Sequence, residues 1–258
     1  MNPLEKGYKK VNGIQMYYEM YGYGKPLVLI HGGGSSMLFD FKEVIEQLQN
    51  KFQLIGIDLQ NHGMTEHRDI PETFEQDAHD IAALLKELEI DKASFWGFSN
   101  GGNTVMQVAH LYPEKVEKLI IASSFYKKSG MIDGFFESME NATFESMPEA
   151  LKINFLNQNP DFSKLENLFE KDCKRMQSFE DWDNSILTSI EVPTLLISGD
   201  KDVMKPEHTV EMWRLIPDAQ LMILPATHGS YMMANFEGNV DRNLIDLTIS
   251  EIEKFLNK

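Results

Sequence analysis

Short, almost unbroken apolar runs punctuate the chain at Leu27-Val28-Leu29-Ile30, Leu54-Ile55-Gly56-Ile57, Ala93-Ser94-Phe95-Trp96, Leu119-Ile120-Ile121-Ala122, Thr194-Leu195-Leu196-Ile197 and Leu221-Met222-Ile223-Leu224. Runs of this length and composition predict strands buried on both faces. Between most of them, apolar residues recur at helical spacing over about Phe39 to Leu48, Phe74 to Leu88, Thr104 to Leu111, Pro206 to Ile216 and Val240 to Leu256. Pro206 suits a first helical turn, where its missing N–H would have had no partner. Strand alternating with helix predicts an α/β fold, a mostly parallel central sheet with helices on both faces. Ahead of it, Tyr8 to Val11 and Ile14 to Met20 flank Asn12-Gly13, which tolerates the positive φ angles of a type I′ turn, so an N-terminal β-hairpin is expected.

The alternation breaks once. From Tyr126 to Glu191 the periodicity is helical and no buried strand is evident, which predicts a helical insertion (126–191) in an α/β core formed by 1–125 and 192–258. The insertion is rich in Phe and Met, among them Phe135, Met139, Met147, Phe155, Phe162, Phe169, Met176 and Phe179, with Trp182. A small helical unit needs such residues for its own core. The alternative role is to line an apolar pocket over the carboxyl edge of the sheet, where open α/β sheets bind ligands.

Composition narrows the classes of function. The 258 residues are 42% hydrophobic and 25% charged, enough to build a substantial core. Lys and Arg number 24 against 40 Asp and Glu, a net charge of −16 that repels nucleic-acid phosphates and anionic lipid surfaces. The expected partner is a small-molecule substrate, with no nucleic acid and no membrane. Cys173 is the single cysteine, and the opening Met1-Asn2-Pro3-Leu4-Glu5-Lys6 lacks the basic and apolar regions of a signal peptide. No apolar run approaches the roughly 20 residues of a membrane span. The cytoplasm is therefore the expected compartment, and the sequon Asn141-Ala142-Thr143 is read as accidental.

The strand run ending at Trp96 leads into Gly97-Phe98-Ser99-Asn100-Gly101-Gly102, and a helical pattern begins near Asn103. A serine at the apex of a strand–turn–helix projects its hydroxyl clear of the sheet, and glycines two residues to either side remove side chains that would collide in so tight a turn. About 0.07 chance matches to Gly-x-Ser-x-Gly are expected at this composition, so the motif together with its context is specific.

With this elbow the sequence resembles the α/β-hydrolase superfamily over almost its whole length, with the helical insertion as a cap domain. The resemblance implies that Ser99 is the nucleophile and that its partners follow in the order acid, then histidine. Gly199-Asp200-Lys201-Asp202, after the strand Thr194 to Ser198, is similar to the family's Gly-x-x-Asp and assigns the acid to Asp202, with Asp200 the weaker candidate. An earlier strand end that carries the acid in some members reads Ser123-Ser124 here and holds no carboxylate. In Pro225-Ala226-Thr227-His228-Gly229, His228 matches the catalytic histidine. His31-Gly32-Gly33-Gly34 follows the strand Leu27 to Ile30, and the resemblance assigns oxyanion-hole N–H donors to Gly33 and Asn100, with Gly34 an alternative to Gly33. His31 is read as a structural hydrogen-bonding residue. Asp58-Leu59-Gln60-Asn61-His62-Gly63 resembles the family's Asp-x-Arg-Gly-His-Gly loop but has Gln60 and Asn61 in place of Arg and Gly; His62 is read as structural. The remaining histidines, His67, His79, His110 and His208, are expected to be mostly solvated.

Serine is almost un-ionised at neutral pH, so a nearby imidazole must take its proton as it attacks a carbonyl, and a carboxylate must fix the imidazole tautomer. This chemistry needs no cofactor, and no His-Glu-x-x-His or paired-cysteine motif points to a metal. Relatives that are dehalogenases or epoxide hydrolases carry Asp at the nucleophile place, which Ser99 argues against. The leading expectation is a serine esterase cleaving a small or medium apolar ester. The same triad serves C–C bond hydrolases, cofactor-free haloperoxidases and proline iminopeptidases. A ligand-binding, receptor-like protein with little turnover is the reading from another class.

Overall fold

The structure, a computed structural model, describes residues 2–258; Met1 lies outside it. In chain order the elements are β1 (Glu5–Val11), β2 (Ile14–Tyr21), β3 (Pro26–Ile30), α1 (Met37–Leu48), β4 (Gln53–Ile57), α2 (Phe74–Glu87), β5 (Ala93–Phe98), α3 (Asn100–Leu111), β6 (Val116–Ala122), α4 (Phe135–Glu140), α5 (Glu149–Gln158), α6 (Phe162–Gln177), α7 (Asn184–Thr188), β7 (Thr194–Lys201), α8 (Pro206–Leu215), β8 (Ala219–Thr227) and α9 (Arg242–Asn257). One sheet of eight strands has the order β1-β2-β4-β3-β5-β6-β7-β8. The β1–β2 hairpin turns at Asn12 and Gly13, both at positive φ, and β2 pairs antiparallel with β4. From β4 across to β8 every pairing is parallel.

Alternation within the strands sends side chains to two apolar layers. Val28, Ile30, Phe95, Ile121 and Leu196 pack with α2, α3 and α8 on one face. Leu27, Leu29, Trp96, Ile120 and Ile197 pack with α1 and α9 on the other. β5, at the centre, is buried along its whole length. The sixth apolar run departs from expectation. β8 is an edge strand, and most of it, Ile223 included, is partly or fully exposed, because only β7 pairs with it. Helix α3 also starts earlier than its periodicity indicated, directly after Ser99, because its first turn is small and polar and carries no apolar signal.

Between β6 and β7 lie α4 to α7 and no strand of the sheet. The apolar residues of α4 to α6 form two clusters, one around Met176 and Phe179 with Phe125 and Met131, the other around Leu151, Phe155, Leu165 and Leu168, whereas Leu187 of α7 joins the core layer of α2 and α3. Phe155 is fully packed, whereas Phe162 stays exposed. Helix α6 also reaches the core through Arg175, which bonds Asp77 at 2.9 Å and Glu72 at 3.2 Å, all three side chains being buried.

The strand order reverses between β3 and β5. Chain leaving the carboxyl ends of these two strands must diverge there, opening a crevice at the sheet's edge. The loops that follow β3, β5, β7 and β8 all emerge on that side, and they carry the residues of interest.

Candidate active site

Ser99 sits at the junction of β5 and α3 with φ +53° and ψ −123°, a backbone conformation that costs on the order of 1–3 kcal/mol for a residue bearing a Cβ. Close packing forces the turn. A Cβ at Gly97 would meet the Gly101 carbonyl and one at Gly101 the Ile30 carbonyl, so neither place admits a side chain. Ser99 occupies the N-cap position of α3 yet its hydroxyl makes no capping bond; Ser36, the N-cap of α1, accepts the Phe39 N–H. The strained elbow thus leaves the Ser99 hydroxyl unengaged at the sheet edge.

Asp202 and His228 come together from the ends of β7 and β8. His228 Nδ1 lies 2.7 Å from Asp202 Oδ1, which also accepts the Val203 N–H at 2.7 Å. The other carboxylate oxygen accepts the Ser123 hydroxyl and the Gly199 N–H. Burial alone would raise the Asp202 pKa, but the His228 interaction and these hydrogen bonds hold it below the usual carboxylate range. An ionised Asp202 fixes the proton on His228 Nδ1 and leaves Nε2 able to accept one. Ser123, at φ +48°, in turn bonds the hydroxyl of the buried Tyr231 at 2.7 Å. Asp200 accepts the Ala226 N–H instead and does not bond His228.

On the loop after β3, Gly32 N–H donates to Asp40 at 2.8 Å and Gly34 N–H to Asp172 at 2.5 Å. Gly33 N–H and Asn100 N–H, the two sequence-assigned donors, engage no other group among the described residues. Asp40 is buried, and its carboxyl is pushed up to about 6 by that burial. Behind the loop, His31 and His62 lie 4.9 Å apart. His31 faces the Gly32 carbonyl with Nδ1 and accepts the Leu59 N–H at Nε2, so it is a neutral ring, and burial lowers its pKa to about 3. His62 differs. Its Nδ1 faces the Gln60 carbonyl at 2.9 Å, and its Nε2 lies 3.0 Å from Asp172 and 3.2 Å from the Gly34 nitrogen, so against an ionised Asp172 both ring nitrogens donate. Burial opposes that charge, but Asp172 overcomes it and raises the His62 pKa to about 9. Asn61, where the resemblance led one to expect glycine, has φ +65°, which asparagine tolerates better than most residues. Gln60 accepts a bond from Arg68 at 2.8 Å, so a guanidinium still reaches this loop.

Ser99, His228, Gly33, Gly34 and Asn100 line one cavity of about 300 Å³. Its remaining walls are mostly apolar side chains of the insertion, including Phe135, Met139, Met147, Phe169 and Met176. Asp172 is its one acidic side chain, and no Lys or Arg lines it. Sequence reasoning missed Asp172, which reads as a solvated helical charge within Lys171-Asp172-Cys173-Lys174-Arg175. A signal existed, because Asp172 and Arg175 fall on the same helical face as Leu165, Leu168 and Met176, where charges are out of place. His208 was misread as well. It is buried, stacks on Tyr126 with ring centroids 4.9 Å apart, and accepts the Tyr126 N–H. Among the described residues no cluster of His, Cys, Asp and Glu is arranged to hold a metal ion, and no helix is long and apolar enough to cross a membrane.

The chain belongs to the α/β hydrolase fold family, whose sequence pattern matches residues 25–160. Within that family it is a serine hydrolase. Serine hydrolase BPHL of Mus musculus is 26% identical over 237 residues, covering 83% of this chain and 77% of the relative. A 2-hydroxy-6-oxo-6-(2'-aminophenyl)hexa-2,4-dienoic acid hydrolase of Metapseudomonas resinovorans is 24% identical over 234 residues, covering 83% and 80%. In fold the chain is similar to the esterase EaEST of Exiguobacterium antarcticum, with a TM-score of 0.79 at 20% identity and coverage of 99% and 100%. The serine hydrolase CarC, involved in carbazole degradation, superposes with a TM-score of 0.78 at 22% identity, covering 98% and 99%.

Proposed function

We propose that the protein cleaves small to medium neutral, apolar esters through an acyl-serine intermediate, with Ser99, His228 and Asp202 as its triad and the insertion, 126–191, as a helical cap over it. The observation that carries this reading is the cavity itself. A free serine hydroxyl on a strained elbow and a carboxylate-bound histidine open onto the same apolar space.

In the proposed cycle, His228 Nε2 takes the proton as Ser99 Oγ attacks the ester carbonyl. Asp202 holds the imidazole by its Nδ1–H and stabilises the imidazolium that forms. The oxyanion is met by the unengaged N–H groups of Gly33 and Asn100, the latter at the N-terminus of α3, where the helix dipole favours negative charge. His228 returns the proton to the departing alkoxide, and water releases the acid by the same steps in reverse order.

The charge of the walls favours esters over the dienoic acids named for one relative. A carboxylate substrate calls for a cation, and the lining offers Asp172 and no Lys or Arg. A panel of p-nitrophenyl esters of graded chain length, run beside a C–C bond substrate carrying a carboxylate and a proline arylamide, tests the reading. The expected result is turnover of the neutral esters well above the other two; preference for the carboxylate diketone or the arylamide would replace it.

A further inference from the structure

The loop that would hold the oxyanion contains three successive glycines, a stretch with little conformational preference of its own. Two carboxylates clamp it. Asp40 of α1 takes the N–H of Gly32, Asp172 of α6 takes the N–H of Gly34, and Gly33 lies between them with its N–H free. Gly33 also packs tightly: a Cβ there would stand 2.6 Å from the side-chain Nδ2 of Asn100 and 3.2 Å from the Asp172 carboxylate. One clamp belongs to the core, the other to the cap.

We infer that Asp172 is a positioning residue for catalysis, a carboxylate supplied by the cap that fixes the Gly33–Gly34 peptide and, with Asp40 holding the His31–Gly32 peptide, confines the Gly32–Gly33 peptide between them so that the Gly33 N–H faces the substrate oxygen. The inference rests on the serine-esterase reading of the site and extends it to a residue outside the triad.

A negative charge beside a forming oxyanion would be harmful by itself. His62 answers this, because its two N–H groups engage Gln60 and Asp172 and its positive charge offsets the carboxylate next to the loop. Burial favours the neutral acid, yet the imidazolium and nearby Arg175 hold the Asp172 carboxyl below the usual carboxylate range and keep it ionised. Its second oxygen, Oδ1, is buried and has no hydrogen-bond partner, so full satisfaction of the carboxylate is not what the arrangement achieves. What it achieves is to hold Gly34 and His62 through one oxygen, by two charge-assisted bonds.

The test combines a titrant that reads the oxyanion hole with two variants. A fluorophosphonate forms a bond from phosphorus to Ser99 Oγ and expels fluoride, placing its phosphonyl oxygen where an ester's oxyanion would lie. Asp172→Ala is expected to slow both phosphonylation and kcat on p-nitrophenyl butyrate at least tenfold, with KM within about twofold. Asp172→Asn keeps an oxygen for the Gly34 N–H and is expected to recover most of that rate. Both variants lose the charge pair with His62, so their Tm values should fall alike. Rates that follow Tm in both variants, or Asp172→Ala labelling as fast as wild type, would overturn the inference while leaving the triad reading intact. Wild-type protein that takes no phosphonate on Ser99 would overturn the triad reading, and this inference with it. Should the variants fail to fold, amide NMR of the wild type decides: on phosphonylation the Gly33 amide proton should shift strongly and that of Gly34 stay nearly fixed, and the reverse pattern contradicts the assignment.

Discussion

The carboxyl edge of the sheet and the helices that overlie it are built on different principles. At the sheet edge each polar group is constrained, as Ser99 by a strained backbone and Asp202 by four hydrogen bonds. The insertion presents Phe and Met side chains to the same cavity, with few directional contacts and one carboxylate. Directional contacts suit a proton transfer that tolerates little misplacement, whereas apolar walls discriminate by size. The contrast teaches that rate and substrate choice should be separable by mutation.

The largest effect should come from the edge. Ser99→Ala removes one hydroxyl that supports no cap and no buried bond, so it should leave Tm unchanged while lowering kcat/KM by about 10⁴ or more. Retention of more than about a tenth of wild-type activity would remove the serine mechanism.

A second effect probes the joint between the two regions, and its sign follows from linkage. The His62 pKa is raised above its unfolded value of about 6.5 to about 9, so its stabilising contribution is complete below pH 6.5 and is lost as pH rises through 9. For this fully buried ring the contribution is on the order of 2–3 kcal/mol. Asp40 and Asp58, pushed up to about 6 by burial, titrate mostly below that window, whereas Glu72, pushed up to about 7, titrates within it in both proteins, so the comparison rests on the difference between their slopes. Urea unfolding at pH 7 and pH 9 should therefore show wild type weakening more than His62→Gln, which can still donate to Asp172 but carries no charge. Equal slopes for the two proteins would mean that His62 is neutral in the fold.

Smaller again is the effect expected of the walls. Phe169→Ala or Phe135→Ala should move the preferred acyl chain length rather than abolish turnover, since a methylene in an apolar pocket is worth about 1–3 kcal/mol. Measuring kcat/KM along an ester series separates this from a uniform loss tied to lower Tm, which would make the insertion a packing module. The smallest effect concerns charge. The insertion holds seven Lys and Arg against thirteen Asp and Glu, and Asp172 reaches the cavity. A neutral ester should be favoured about tenfold over a carboxylate-bearing ester of equal size. Equal rates on the two would show that the acidic surface and Asp172 are both screened from the substrate.

The same division explains what was legible in the sequence. The strand runs, the hairpin at Asn12-Gly13 and the order of elements could be read because each depends on local periodicity or turn chemistry. The elbow carried its own glycines, and Asp202 and His228 stood at strand ends in the expected order. What escaped depends on contacts between distant segments. Asp172 meets His62 across 110 residues and Gly34 across 138; its place on the apolar face of α6 marks it as buried, but nothing near it in sequence names those partners. His208 looked solvated because the ring that covers it, Tyr126, lies far away in sequence, in the loop after β6. The apolar run of β8 matched those of the central strands, and its place at the sheet edge is set by the strand order, which local pattern does not encode. Gly33 and Gly34 were indistinguishable in sequence; only the Asp172 contact sets their N–H groups apart.

The central claim, a covalent intermediate on Ser99, is tested most directly by trapping it. p-Nitrophenyl butyrate turnover is quenched in acid within the first catalytic cycles, and the digested protein is mapped by mass spectrometry. The account predicts a butyryl group on the peptide that contains Ser99 and none in Ser99→Ala; hydrolysis with no acylated peptide, or acylation at Cys173 or another serine, would contradict it.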